Sequence, residues 1–227
     1  APMRLNKYIA SHTKNSRRSA DELIKNGKVL VNGRPAVLGQ QVEEEDIVTV
    51  RGKNLDQVAK PLYYLVHKPT GYVSTTKDPE GRRTVMELVP TDERLYPVGR
   101  LDYDSEGLIL LTNDGQLTNR LTHPKFQTEK LYKVLVKGLP TKQSISKLEA
   151  GVFIDGQRTS PAQVNVVEKQ DGKTWLSMTI HEGRNRQIRK MCHVVGHPVV
   201  RLIRLKLGPY ELGDLKPGQS KIVENLL

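Results

Sequence analysis

The sequence predicts an α+β protein: a small N-terminal module of two helices and a twisted hairpin, then a mixed, mainly antiparallel sheet with flanking helices. Three observations carry that prediction. Two short runs at helical spacing open the chain, strand-type alternation dominates from residue 61 onward, and a stretch with no apolar period separates them. The expected boundaries are 1–51 for the module, 52–60 for a linker and 61–227 for the larger domain.

Leu5, Tyr8 and Ile9 recur at helical spacing. Ser16 is placed as the N-cap of a second helix, Arg17 to Asn26, which Gly27 stops and whose buried stripe includes Leu23 and Ile24. Val29 to Val31 leads into the turn pair Asn32-Gly33, with a partner strand expected near Ala36 to Leu38 and a closing strand from Asp46 to Val50. In the larger domain, strands are expected at Leu62 to Val66, Tyr96 to Leu101, Leu108 to Thr112, Leu131 to Val136, Val164 to Val167, Trp175 to Ile180 and Val199 to Lys206. Lys68-Pro69-Thr70-Gly71 reads as a turn. Helices are expected over Gln116 to Thr122, over Lys142 to Ala150 ending at Gly151, and over Asn185 to Val195, where Ile188, Met191, Cys192 and Val195 share one face.

Composition narrows the function classes. The chain has 227 residues, 37% hydrophobic and 27% charged, which is globular rather than disordered. No apolar run approaches the roughly 20 residues that span a bilayer, and no signal peptide is expected. A single cysteine, Cys192, allows no internal disulfide and no multi-thiolate zinc site, in keeping with a cytoplasmic protein. The formal net charge is +11. Residues 1–35 hold eight Lys/Arg against Asp21 and Glu22, and residues 182–206 hold seven against Glu182, a net +6 in each cluster. A merely soluble basic surface is the plain reading of such a charge; its clustering favours a polyanion such as nucleic acid.

Two stretches carry residues suited to chemistry. Asp102 lies in Gly99-Arg100-Leu101-Asp102-Tyr103-Asp104-Ser105-Glu106-Gly107, between expected strands, where a carboxylate can be held rigidly beside a cleft. A turn-capping aspartate is the ordinary alternative. A calcium loop is a sharper one, because Asp102, Asp104, Glu106 and Gly107 imitate its first positions, but Asn113 stands where its bidentate Glu belongs. The second stretch is Glu182 to Lys190, in which Arg184, Arg186 and Arg189 precede or enter a helix and suit phosphate contact. A solvated helix face is its ordinary reading; a guanidinium near the sheet would take Asp102 as its carboxylate. His193 and His197 beside Cys192 raise a metal, yet core packing for Cys192 and surface roles for the histidines fit better, and no metal site is expected.

Lys68-Pro69-Thr70-Gly71, the run Gly99 to Gly115, Glu129-Lys130-Leu131-Tyr132 and Glu182 to Met191 together resemble the ribosomal RNA pseudouridine synthases of the RsuA/RluB/RluE/RluF type. The N-terminal module resembles the small RNA-binding domain named after a small-subunit ribosomal protein, through Arg4-Leu5-Asn6-Lys7 and Ser16-Arg17-Arg18. The resemblance implies the pseudouridine synthase fold and isomerisation of uridine in rRNA, with 23S rRNA expected first and 16S rRNA as the alternative. A non-catalytic RNA-binding assembly protein is the competing class. By the resemblance Asp102 is the essential aspartate, and Tyr132 stacks on the uracil and takes part in the final proton removal. Arg189 pairs with Asp102, Ile188 walls the pocket, and Arg100 helps extrude the nucleotide. Lys68, Arg184 and Arg186 are expected on the substrate, and Arg4, Lys7, Arg17, Arg18 and Lys28 on the RNA side of the module. No cofactor is implied. The expected partner is rRNA or a ribosome assembly intermediate, with no membrane, and the expected state is a monomer.

Overall fold

Leu5 and Ile9, one turn apart, are the buried residues of α1 (Leu5–His12). Ser16 caps α2 (Arg17–Lys25) by accepting the backbone N–H of Ser19, which satisfies one of the amides a helix start leaves open. Ala20, Leu23 and Ile24 of α2 join Leu5 and Ile9 in one apolar cluster with Val29, Val31, Val48 and Val50. The computed structural model describes residues 1–55 and 60–227, and every element below lies within them.

After β1 (Val29–Val31), Asn32 and Gly33 both take positive φ, 49° and 77°, the geometry of a two-residue hairpin turn. So tight a turn brings the chain straight back, and β2 is Arg34–Pro35, with Val31 opposite Arg34. The expected strand at Ala36 to Leu38 is therefore corrected: Val37 and Leu38 are exposed, and Gln41–Val42 instead pairs with Met3–Arg4. β3 (Val48–Val50) pairs with β1, and β4 (Lys53–Asn54) folds back on β3. The linker expected from residue 52 thus begins as a strand; its residues 56–59 lie outside the described residues.

The larger domain is built from β5 (Tyr63–Lys68), β6 (Glu106–Thr112), α3 (Gly115–Thr122), β7 (Lys130–Lys137), α4 (Lys142–Ala150), β8 (Gln163–Gln170), β9 (Lys173–Ile180), α5 (Gln187–Val194), β10 (Val199–Leu207) and β11 (Ser220–Ile222). The sheet runs β8-β9-β7-β10-β6-β5-β11, with Tyr96–Pro97 added to β6 and Tyr210–Glu211 to β10. Only β10 against β6 is parallel among the pairs of this sheet, so the mixed, mainly antiparallel expectation holds. Alternate residues of β5 and β6 feed opposite faces: Tyr64, Val66, Ile109 and Leu111 pack with Tyr132, Val134 and Met178, while Tyr63, Leu65, Leu108 and Leu110 pack with Leu117 and Leu121 of α3. Asp114 and Thr141 cap α3 and α4 through Leu117 N–H and Ser144 N–H.

Two boundaries shift for identifiable reasons. The strand expected from Tyr96 to Leu101 ends at Pro97, because Gly99 takes φ 72° and turns the chain away toward Asp102. The helix expected from Asn185 begins at Gln187, because Arg186 adopts the left-handed conformation at φ 47°. The module meets α3 through close backbone approaches at Gly33, against Thr118, and Gly115, against Thr49, and Asn54 Nδ2 donates to the Asn113 carbonyl at 3.3 Å. Among the described residues no helix is long and apolar enough to cross a membrane.

The parallel junction depends on Gly107. Its φ is 110°, and a Cβ there would run into the backbone oxygen and nitrogen of Arg204. Gly107→Ala is expected to lower unfolding stability by about 2–4 kcal/mol through backbone collision and a forbidden φ. Denaturant melts of the two proteins check this; an unchanged midpoint would remove the constraint.

Candidate active site

Asp102 stands in the loop between Pro97 and β6, and that loop is tied down through its backbone. Leu101 N–H donates to Ser74 Oγ at 3.0 Å, and the same hydroxyl donates to the Leu101 carbonyl at 2.6 Å. Ser105 N–H donates to the Asp102 carbonyl, and Gly71 N–H to the Tyr103 carbonyl, each at 3.0 Å. From below, Lys68 Nζ donates to the carbonyls of Pro69 (2.9 Å), Tyr103 (3.3 Å) and Ser105 (2.7 Å). Lys68 is 0% exposed, which corrects the expectation that it meets the substrate: its ammonium is spent on loop carbonyls. Burial brings its pKa down to about 8, against the pull of Asp104, Glu106 and Asp102.

The arginines of the Glu182–Lys190 stretch divide their work differently from the expectation. Arg186 forks onto Asp104, Nη1 to Oδ1 and Nη2 to Oδ2 at 2.9 Å each, and its Nη1 lies 3.5 Å from Asp102 Oδ2. That fork holds the Asp104 carboxyl below its ordinary pKa. Arg189 does not supply the ion-pair contact to Asp102. Its Nη2 donates to the Asp104 carbonyl at 3.0 Å and to Ser105 Oγ at 3.3 Å, because the first turn of α5 carries it beneath the loop. The left-handed turn at Arg186 sends that neighbour to the carboxylates instead. Arg184 is likewise committed to the framework, donating to the carbonyls of Ile154 and Gln157. Arg184 and Arg186 thus each have partners within the protein while still lining the cleft.

One cleft of about 1170 Å³ gathers the remaining groups. Lys130, Tyr132, Ile180, Leu202 and Arg204 reach it from the sheet; Arg100, Leu101 and Asp102 from the loop; Arg184, Arg186 and Ile188 from the approach to α5; and Arg34 and Pro35 from the module. Asp102, Tyr132, Ile188 and Arg100 therefore meet at one place, whereas Lys68 and Arg189 support it from behind. Tyr132 is 9% exposed and lies opposite Met178 on one side and Arg204 on the other. In the module, Arg4, Lys7, Arg17, Arg18 and Lys28 are all exposed.

Four groups escaped the sequence reading. Ser74 anchors Leu101 from a stretch with no regular pattern. Lys130 is two residues before Tyr132, so the alternation of β7 already put it on the same face. Arg204 interrupts an apolar strand, and Arg34 follows the hairpin turn; both were visible as residues but not as cleft residues. Two of the carboxylates of the calcium reading are engaged by guanidinium groups: Glu106 by Arg201 at 2.8 Å and Asp104 by the Arg186 fork. Cys192 is buried in the core with its thiol pushed up to about 12, and His197 Nδ1 lies 2.8 Å from the Lys137 carbonyl.

The depressed pKa of Lys68 has a signed consequence. Between about 8 and its ordinary 10.5 the unfolded chain holds a proton on this lysine that the folded chain has released, so Lys68's contribution to stability rises with pH in that window. The stability gap between the wild type and Lys68→Met is expected to widen in favour of the wild type from pH 8 to pH 10. Urea unfolding at both pH values reads it; a gap that stays constant or narrows contradicts the burial of a charged lysine.

Comparison with known proteins follows the same division of the chain. Residues 62–194 match the RNA pseudouridylate synthase family model, and residues 3–48 match the S4 domain model. The chain is 41% identical over 222 residues to ribosomal large subunit pseudouridine synthase B of Bacillus subtilis, covering 96% of this chain and 91% of that protein. It is 38% identical over 219 residues to the dual-specificity RNA pseudouridine synthase RluF of Escherichia coli, covering 96% and 74%. A solved structure described as a pseudouridylate synthase superposes with a TM-score of 0.72 at 30% identity, covering 98% of this chain and 96% of the other. With the family match spanning more than half its length and its relatives nearly all of it, the chain belongs to the RNA pseudouridylate synthase family.

Proposed function

We propose that this protein isomerises a specific uridine of ribosomal RNA to pseudouridine, that the RNA is 23S rRNA of the large subunit, and that it acts in the cytoplasm as a monomer. The carrying observation is the convergence of Asp102 and Tyr132 on one cleft, with an exposed basic module contributing Arg34 to the same cleft. The names of the relatives support the large subunit as target.

The chemistry follows from the geometry. A uracil stacked in RNA is out of reach, so the nucleotide is flipped into the cleft at a cost of about a few kcal/mol. Tyr132 offers the base an aromatic platform, and exposed Arg100 at the cleft fills or widens the space left behind. Asp102 then either attacks C1′ of the ribose or removes a ribose proton to give a glycal; both routes break the N-glycosidic bond beside the same carboxylate. Ile188, with Leu202 and Ile180, keeps the detached base from leaving while it turns to present C5. Substrate and product are isomers, so the overall reaction needs no external electron carrier. In this reading Lys68 and Arg189 are positioning residues: they bond the loop backbone and leave the Asp102 carboxylate open to the ribose.

Asp102→Asn keeps the size of the side chain and removes the nucleophile or base. Pseudouridine formation in a 23S transcript, followed by tritium release from C5-labelled uridine, is expected to fall by about 10³-fold or more, on the scale of losing a central catalytic group. Wild-type release rates in the variant would refute the assignment and favour a non-catalytic RNA-binding protein. Replacing Arg17 and Arg18 together by Ala is expected to weaken rRNA binding across sequences and to flatten the plot of log affinity against log salt by about 0.7–0.9 for each phosphate no longer neutralised. A slope that does not move would remove α2 from the RNA interface.

A further inference from the structure

Resting on that reading of the reaction, the structure assigns a further catalytic residue: we propose that Arg204, seconded by Lys130, binds the uracil as it departs and stabilises the negative charge it carries. Arg204 is 3% exposed and lies on the central strand β10. Its Nε donates to the Leu108 carbonyl at 2.9 Å. That is the one bond its guanidinium makes among the described residues, and its Nη2 is enclosed with no partner. No carboxylate lies within ion-pair distance of it among those residues. A buried, unpaired guanidinium is costly unless something anionic meets it at the moment of function.

The surroundings point to the base as that anion. Arg204 lies directly opposite Tyr132 on the adjacent strand, so the two side chains leave the sheet on the same face, and both line the cleft with Asp102. Lys130 leaves β7 on that face too, donates to the Glu182 carbonyl at 3.2 Å and reaches the same cleft. Burial together with the neighbouring Arg204 charge brings its pKa down to about 8. Three neighbouring cations, by contrast, are neutralised: Arg186 by Asp104, Arg201 by Glu106 and Lys206 by Glu211.

On either route at Asp102, the C1′–N1 bond breaks with its electron pair passing to N1. The charge spreads to O2 and O4 of the uracil. The new bond uses the C5=C6 electron pair to join C5 to C1′; on the nucleophilic route this displaces the Asp102 carboxylate with the electron pair of its C1′–O bond, and on the glycal route Asp102 returns the proton to C2′. The hydrogen on C5 then leaves as a proton. A fixed cation beside the ring lowers the energy of the separated anion without taking part in bond exchange, and a low-dielectric wall makes its effect larger than in water.

The test is single-turnover conversion of a 23S rRNA transcript by wild type and Arg204→Gln, with RNA affinity measured by filter binding. Loss of one such donor is expected to slow uridine conversion by about 100-fold with RNA affinity nearly unchanged. A ligated transcript carrying 5-fluorouridine at the converted position has a less basic leaving base, so the same variant should slow its consumption by only about 10-fold, less charge needing stabilisation. Equal slowing of both transcripts, or weakened binding with an intact rate, overturns the proposal; the latter marks a phosphate contact. Arg204→Lys, which keeps a cation, is expected to recover part of the rate, and equal rates in the two variants count against a charge role. An active wild type with full-rate Arg204→Gln overturns Arg204 alone, whereas an inactive wild type overturns the reaction on which it rests.

Discussion

Lys68 and Arg189 reach the loop around Asp102 from inside the protein and take its carbonyl oxygens, and the arrangement of the site depends on those bonds. A carboxylate that works on a ribose must be held still without having its own oxygens consumed. Bonding the loop through Tyr103, Asp104 and Ser105 achieves this: the backbone is immobilised by charge-assisted hydrogen bonds, and among the described residues the side chain of Asp102 is left with the 3.5 Å approach of Arg186. The parallel pairing of β6 with β10 continues the same constraint. It begins one residue after Ser105 and requires the bare backbone of Gly107, so the strand that the loop enters is locked against β10 at Arg204.

Periodicity made the secondary structure legible because most buried faces obey it. α4 and its glycine stop, the cap at Ser16, and the alternation of β7 all follow from local chemistry. Legibility failed where the chain departs from regular φ. The left-handed residue Arg186 shortens α5 and changes which arginine meets a carboxylate, and a sequence that reads Arg-Asn-Arg-Gln-Ile-Arg does not announce which guanidinium turns outward. The two-residue turn at Asn32-Gly33 was evident, but its tightness, which moves the partner strand back to Arg34, was not carried through to register. Edge strands of two or three residues, such as Met3–Arg4 and Ser220–Ile222, owe their existence to tertiary pairing and leave no period to read.

The site itself divides in the same way. Asp102, Tyr132, Ile188 and Arg100 belong to distinctive runs and all reach the cleft. Lys68 shares a run just as distinctive, yet it is enclosed, because a motif residue can serve the reactive loop from behind as readily as it can serve the substrate. Burial and direction come from the sheet, and neither is written in spacing.

Charge shows most clearly what the fold adds to sequence. The two basic clusters look alike in composition, each with a net +6. In the folded protein they have opposite fates. Arg4, Lys7, Arg17, Arg18 and Lys28 stay on the surface of the module, where each can neutralise a phosphate and release counterions. In the second cluster, Arg186, Lys190, Arg201 and Lys206 are each bound to a carboxylate, Arg184 is spent on carbonyls, and Arg189 divides between the Asp104 carbonyl, Ser105 Oγ and a 3.6 Å approach to the Asp104 carboxylate. Most of that cluster is therefore engaged within the protein, as a framework around the cleft. On the reading proposed above, attraction to the polyanion falls mainly to the module, and a substitution in the second cluster acts mainly through the loop that carries Asp102. Arg204 stands apart from both: it is buried where the other arginines of its cluster are exposed or half-buried, and it lacks the carboxylate that Arg186 and Arg201 have, an arrangement that costs free energy in the empty cleft.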